Sequence, residues 1–137
     1  MCQQATTLAV HGNSRQIWRC EHGTIHLNWE QATLRLHPND FRRAVRLLEE
    51  GVTELGFNKV SEGNCMVVPQ ENGFYQFWYG NVMLILDSLA FFQLVDLVRA
   101  AECQLDKLRC KDNPPQQLRK HYGDGLDTIL GSGFSIN

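Results

Sequence analysis

No stretch of this 137-residue chain approaches the roughly 18 uninterrupted apolar residues that a membrane helix needs. Its first residues, MCQQATTLAVHGNSRQ, lack the basic start and apolar run of a signal peptide. The expectation from both absences is a cytoplasmic protein with no membrane partner. A large charge of one sign is missing too. A formal net charge of -2 gives no reason to expect nucleic-acid or anionic-membrane binding. The cysteines Cys2, Cys20, Cys65, Cys103 and Cys110 are odd in number and show no CxxC spacing, so they read as free thiols in a reducing compartment. The chain also lacks G-x-S-x-G, P-loop and G-x-G-x-x-G sequences, which leaves no motif for a nucleophile or a phosphate.

What is present is ordinary globular composition, 43% hydrophobic and 20% charged, in a length that fits one domain. A chain of this size buries roughly two thirds of its unfolded surface, so the core needs neither metal nor disulfide to form. Its organising feature is a likeness between two stretches. Gly73 to Ala101 laid on Gly23 to Gly51 without a gap places Leu84 on Leu34, Leu86 on Leu36, Phe91 on Phe41, Val95 on Val45 and Leu97 on Leu47. The chain reads as an internal duplication.

Alternation of Ile25, Leu27 and Trp29 with Thr24, His26 and Asn28 predicts a strand with one buried face, preceded by a strand over Ser14 to Cys20. Ala32 to His37 repeats the alternation. Glu30-Gln31 is the turn between them, and its counterpart Gly80-Asn81 is better turn chemistry, which supports the assignment. Pro38 opens a helix that Gly51 is expected to end as a C-terminal cap. Cys65 to Pro69 begins the second set of strands, and Asp87 or Ser88 caps a second helix that runs toward Lys111 and is stopped by Asn113-Pro114-Pro115. The predicted fold is α+β: two tandem βββα units, over 15–51 and 65–101. Residues 52–64 form a linker, and 102–137 a helix extension and an irregular C-terminal segment that packs on the body or on a partner. Residues 1–13 read as an arm or an edge segment.

The units differ on the sheet face opposite the core. Thr24, His26, Asn28, Thr33, Arg35 and His37 make it polar in the first, whereas Phe74, Gln76, Trp78, Met83, Ile85 and Asp87 make it largely apolar in the second. On the helices, Arg42 becomes Phe92. A sheet with two apolar faces must be covered on both. Either the C-terminal segment covers this one, or Phe74, Trp78, Met83, Ile85 and Phe92 form an interface with a second copy or a protein partner.

Two polar clusters are the alternatives. Cys20, His22, His26 and His37 bring sulfur and imidazole ligands of the kind zinc takes, although C-x-H-x3-H-x10-H matches no established zinc spacing. Arg35, Arg42, Arg43 and Arg46 are candidates for an anion site, opposed by Glu49 and Glu50 on the same helix. The leading expectation is a noncatalytic interaction or accessory-subunit domain without cofactor, associating through the second unit. The alternative is a metal- or thiol-dependent sensor or enzyme, with zinc as the cofactor, built on the cysteine and histidines near the amino terminus.

Overall fold

In the computed structural model, which describes residues 2–54 and 59–112, the chain runs β1 (Ala5–His11), β2 (Arg15–Cys20), β3 (Ile25–Trp29), β4 (Ala32–Leu36), α1 (Pro38–Glu54), β5 (Val60–Glu62), β6 (Cys65–Pro69), β7 (Tyr75–Tyr79), β8 (Val82–Leu86) and α2 (Ser88–Asp112). Each half is an antiparallel meander, β1-β2-β3-β4 and β5-β6-β7-β8, followed by a helix. The fold is therefore α+β, as the patterning predicts. Met1–Leu105 forms one compact unit, and a second, Asp106–Asn137, begins within α2 and is described only to residue 112. The expected helix stop at Asn113 and the packing of the C-terminal segment lie outside the described residues.

The units have four strands rather than three. In the first, residues read as an arm or an edge segment pair with β2 as its edge strand, from Ala5 opposite Cys20 to His11 opposite Arg15, across an irregularity between Thr7 and Ala9. Apart from Leu8, β1 is largely exposed, so it is an edge strand held by its ladder, and no alternation of apolar residues announces it. In the second, β5 occupies part of the stretch expected as linker and pairs Val60 with Val67. Three residues are too few for a period to be seen.

The fifty-residue likeness extends to the hydrogen-bond ladder. Ile17 faces Leu27 as Val67 faces Phe77, and Leu27 faces Leu34 as Phe77 faces Leu84. Gly23 and Gly73 take positive φ at 88° and 86° in the turns that close β2 on β3 and β6 on β7. Glu30 and Gly80 do the same at 56° and 60°. Glu30 meets the steric cost of that conformation, about 1–2 kcal/mol, with its N–H bonded to Ser14 O at 2.8 Å and its carboxylate paired with Arg15.

Both helices bury their apolar faces in one core with both sheets. Phe41, Val45, Leu47 and Leu48 of α1 and Phe91, Leu94, Val95, Leu97 and Val98 of α2 are buried, together with Ile17, Ile25, Leu36, Val67, Phe77 and Leu86 from the strands. Each helix also reaches the sheet of the other unit. Asp40 of α1 accepts a 2.9 Å bond from Tyr79 Oη of β7, Arg43 and Arg46 pair with Glu62 of β5, and Arg15 of β2 donates to Gln93 of α2.

Gly51 does not cap α1, which continues to Glu54. It is buried where the helix comes closest to its neighbours: a Cβ there would lie 3.2 Å from Phe91 Cζ and 3.3 Å from Val67 Cγ1. Gly51 thus serves packing. A large side chain has nowhere to go, so Gly51→Leu is expected to destabilise the protein by about 1–3 kcal/mol through overpacking. A lowered urea midpoint with an unchanged m-value checks it.

Candidate metal centre

The polar face of the first sheet does not lie open to water throughout. Trp18 and His26 are cross-strand partners, and their rings stack with centroids 3.8 Å apart and planes 3° from parallel. His26 is 6% exposed, and its Nε2 is buried with no hydrogen-bond partner. An unpaired buried ring nitrogen is costly, and a metal ion is one group that satisfies it. Cys20 ends β2 on the same face as Trp18, because alternate residues of a strand share a face, and it is 4% exposed.

The turn after Cys20 then folds back on it. Gly23 N–H bonds to Cys20 O at 2.9 Å, and Cys20 N–H bonds to Thr24 O at 3.1 Å. This tight closure brings His22 Nδ1 to 3.8 Å from Cys20 Sγ. His22 and His26, which alternation along the strand would set apart, therefore reach the same sulfur.

Cys2 completes the group. Residues before β1 cross the end of the sheet and are held there by Glu21, whose carboxylate accepts the N–H groups of Gln3 and, at 3.1 Å, of Gln4. Glu21 N–H in turn donates to Gln4 O at 3.2 Å. Those backbone donors stabilise the ionised carboxylate and hold its pKa below the usual glutamate value. Cys2 Sγ lies 3.7 Å from His22 Nδ1, and ligand atoms of Cys2, Cys20 and His26 all fall within 4.8 Å of one another.

These separations suit zinc. With Zn–S about 2.3 Å and Zn–N about 2.0–2.1 Å, tetrahedral geometry requires S···N edges of about 3.6 Å and an S···S edge of about 3.8 Å. The two Sγ···Nδ1 distances, 3.7 and 3.8 Å, are close to that edge length. The thiols are also prepared for it. Burial pushes the Cys20 thiol up, but it is outweighed by hydrogen bonds from His26, from Cys2 and from the backbone and ring of His22, which hold the pKa down to about 5. The hydrogen bond to Cys20, together with burial, pushes Cys2 up. The contacts thus favour the thiolate on Cys20 and the proton on Cys2.

A pH dependence follows for the reduced, metal-free protein. Because the folded-state pKa of Cys20 lies below its unfolded value, its contribution to stability is full above the ordinary thiol range, ~8.5. That contribution is lost as pH falls through about 5. The expected observation is mass-mapped alkylation in which Cys20 stays reactive well below the ordinary thiol range and loses reactivity only as pH falls through about 5.

The other candidate residues are placed elsewhere. His37 precedes Pro38 as the cap of α1, its Nδ1 accepting Asn39 N–H at 3.1 Å, so it does not join the sulfurs. Asp87 does the same for α2 through Ala90 N–H at 2.7 Å. Arg42 pairs with Glu102 at 3.3 Å, Arg43 with Asp40 at 2.8 Å and Arg46 with Glu62 at 3.3 Å, which spends these charges on carboxylates within the fold. Arg35 stands apart from them. It lines, with Thr24, Asn28 and Thr33, a groove of about 680 Å³ whose other walls are Cys2, Trp18, Cys20, His22 and His26.

In the second unit, Phe74 is 39% exposed, Ile85 59%, Leu89 68% and Phe92 41%, while Trp78 and Met83 are half-buried. Trp78 donates its indole N–H to Gln76 at 3.0 Å. Among the described residues no helix is long and apolar enough to cross a membrane. The chain matches no protein-family model, no curated protein and no solved structure.

Proposed function

We propose that the protein is a metal-dependent sensor whose first unit holds a zinc ion between Cys2, Cys20, His22 and His26. The observation that carries this is the convergence of Cys2, Cys20 and His26, whose ligand atoms lie within 4.8 Å of one another, with His22 Nδ1 3.7 and 3.8 Å from the two sulfurs, on a largely polar sheet face. Four protein ligands make a closed site, of the kind that stabilises structure and reports metal availability rather than activating water. One ligand comes from the arm before β1, which Glu21 holds and an ion would tie further to β2. Occupancy is thereby linked to the conformation of the amino terminus. Free thiols at all five cysteines fit a reducing, cytoplasmic setting.

The reading is tested by loading the reduced protein with cobalt as a spectroscopic substitute and displacing it with zinc. Thiolate-to-cobalt absorption at one equivalent supports it, and absence of that absorption removes it. Glu21→Gln weakens the hold on the arm without touching a ligand, so zinc affinity is expected to fall about 10–100-fold. Competition with a chromogenic chelator measures that change.

A second reading, association through the apolar residues of the second unit, is favoured by the exposure of Ile85 on β8 and of Leu89 and Phe92 on α2. Its test is sedimentation of Ile85→Ser combined with Leu89→Ser. A folded variant of lower mass than the parent supports an interface, and an unchanged mass sets it aside.

A further inference from the structure

Cys2 and Cys20 reach the site from parts of the chain that are differently constrained. Cys20 is fixed at the end of β2, opposite Ala5 of β1 and with its N–H bonded to Thr24 O, whereas Cys2 precedes β1 and is tied down through its neighbours Gln3 and Gln4 to Glu21. Their sulfurs lie within 4.8 Å of each other. A disulfide needs about 2.05 Å, so a shift of the arm by under ~3 Å closes the bond while the sheet stays as it is. The groove that the two cysteines line opens the site to small solutes.

We propose that a hydroperoxide oxidises this pair to a disulfide and thereby releases the zinc ion, making the centre a redox-controlled metal site; this rests on the metal reading above. The sulfur of Cys20 attacks an oxygen of the hydroperoxide, the O–O bond breaks, and the departing oxide takes a proton from solvent to leave as water or alcohol. Cys20 is then a sulfenic acid. The sulfur of Cys2 attacks the sulfur of Cys20, the S–S bond forms, the S–O bond breaks, and hydroxide leaves with a second solvent proton as water. Two thiolates have lost two electrons and the peroxide has gained them. The disulfide sulfurs carry no negative charge with which to hold the ion, and His22 and His26 alone cannot retain it as a tetrahedral centre. Zinc leaves as the hydrated cation. A dithiol reverses the reaction.

The experiment uses the full chain with Cys103→Ser and Cys110→Ser, which removes the two exposed thiols of α2. The reduced protein is loaded with zinc, treated with hydrogen peroxide, and followed in parallel by a chromogenic zinc chelator and by peptide mass mapping. The expected result is one zinc released per Cys2–Cys20 disulfide, with uptake restored by a dithiol. Adding Cys2→Ser, on an arm outside the core, is expected to abolish the disulfide while circular dichroism shows the fold retained. Release of zinc without that disulfide overturns the proposal, as does a disulfide to Cys65 or zinc that stays bound while both thiols oxidise. Reduced protein that takes up no zinc before peroxide is added fails the metal reading itself. A loaded protein that resists peroxide fails the redox step alone.

Discussion

Serine at position 20 is expected to lower zinc affinity by more than about 100-fold, the upper end of what loss of a supporting residue around a metal costs. Three observations make Cys20 the ligand on which the site depends. It is 4% exposed at the end of β2, it sits within reach of both imidazoles and of Cys2, and it carries the thiolate, with its pKa held down to about 5. A serine hydroxyl stays protonated and is a poor ligand for a soft site. Cys2→Ser should act in the same direction through the other sulfur, and His37→Ala should leave zinc affinity unchanged, because that ring caps α1. Isothermal titration of the three variants against the parent separates these expectations. Equal losses for Cys20→Ser and His37→Ala would point to a stability effect in place of ligation.

The second large effect lies in the shared core. Phe91 is fully buried, stacks on Tyr75 with ring centroids 4.1 Å apart and meets Phe92 edge-on at 5.8 Å. It also closes on Gly51 of α1, so strand, helix and helix meet at one ring. Phe91→Ala is expected to cost about 3–5 kcal/mol from lost transfer energy and the cavity left behind. That is a large part of the 5–15 kcal/mol a domain has in total. Equilibrium unfolding in urea measures it, and a loss below about 1 kcal/mol would mean that the helices do not share the core described here.

The fold was largely legible because its signals are periodic. Ile25, Leu27 and Trp29 mark a strand, Phe41, Val45 and Leu48 mark a helix face, and the fifty-residue likeness let Gly80-Asn81 vouch for the poorer turn at Glu30-Gln31. β1 could be read only as an arm or an edge segment because an edge strand buries little, and β5 escaped because a three-residue strand shows no period. Gly51 was misread for a physical reason: a glycine after an amphipathic run is ordinarily a cap, and its closeness to Phe91 and Val67 is a tertiary fact.

The site was half legible. Cys20, His22 and His26 could be suspected from their residue types, but Cys2 gave no signal, since seventeen residues, strand β1 among them, lie between it and Cys20 in the chain. Its place is set by Glu21 gripping two backbone N–H groups, a contact no spacing rule encodes. In the sequence His26 reads as a solvated or hydrogen-bonded residue on a polar face, and in the structure it is buried, with Trp18 stacked on it across the strand pair. In the second unit, the apolar character of Ile85 and Phe92 was plain, and the structure leaves both exposed among the described residues.

One measurement bears most directly on the account: the zinc content of the reduced 137-residue chain after dialysis against a weak chelator, in parallel with the Cys2→Ser and Cys20→Ser variants. One zinc per chain in the parent and a large loss in both variants is the predicted result. A parent with no bound zinc, or variants that keep it in full, would contradict the site.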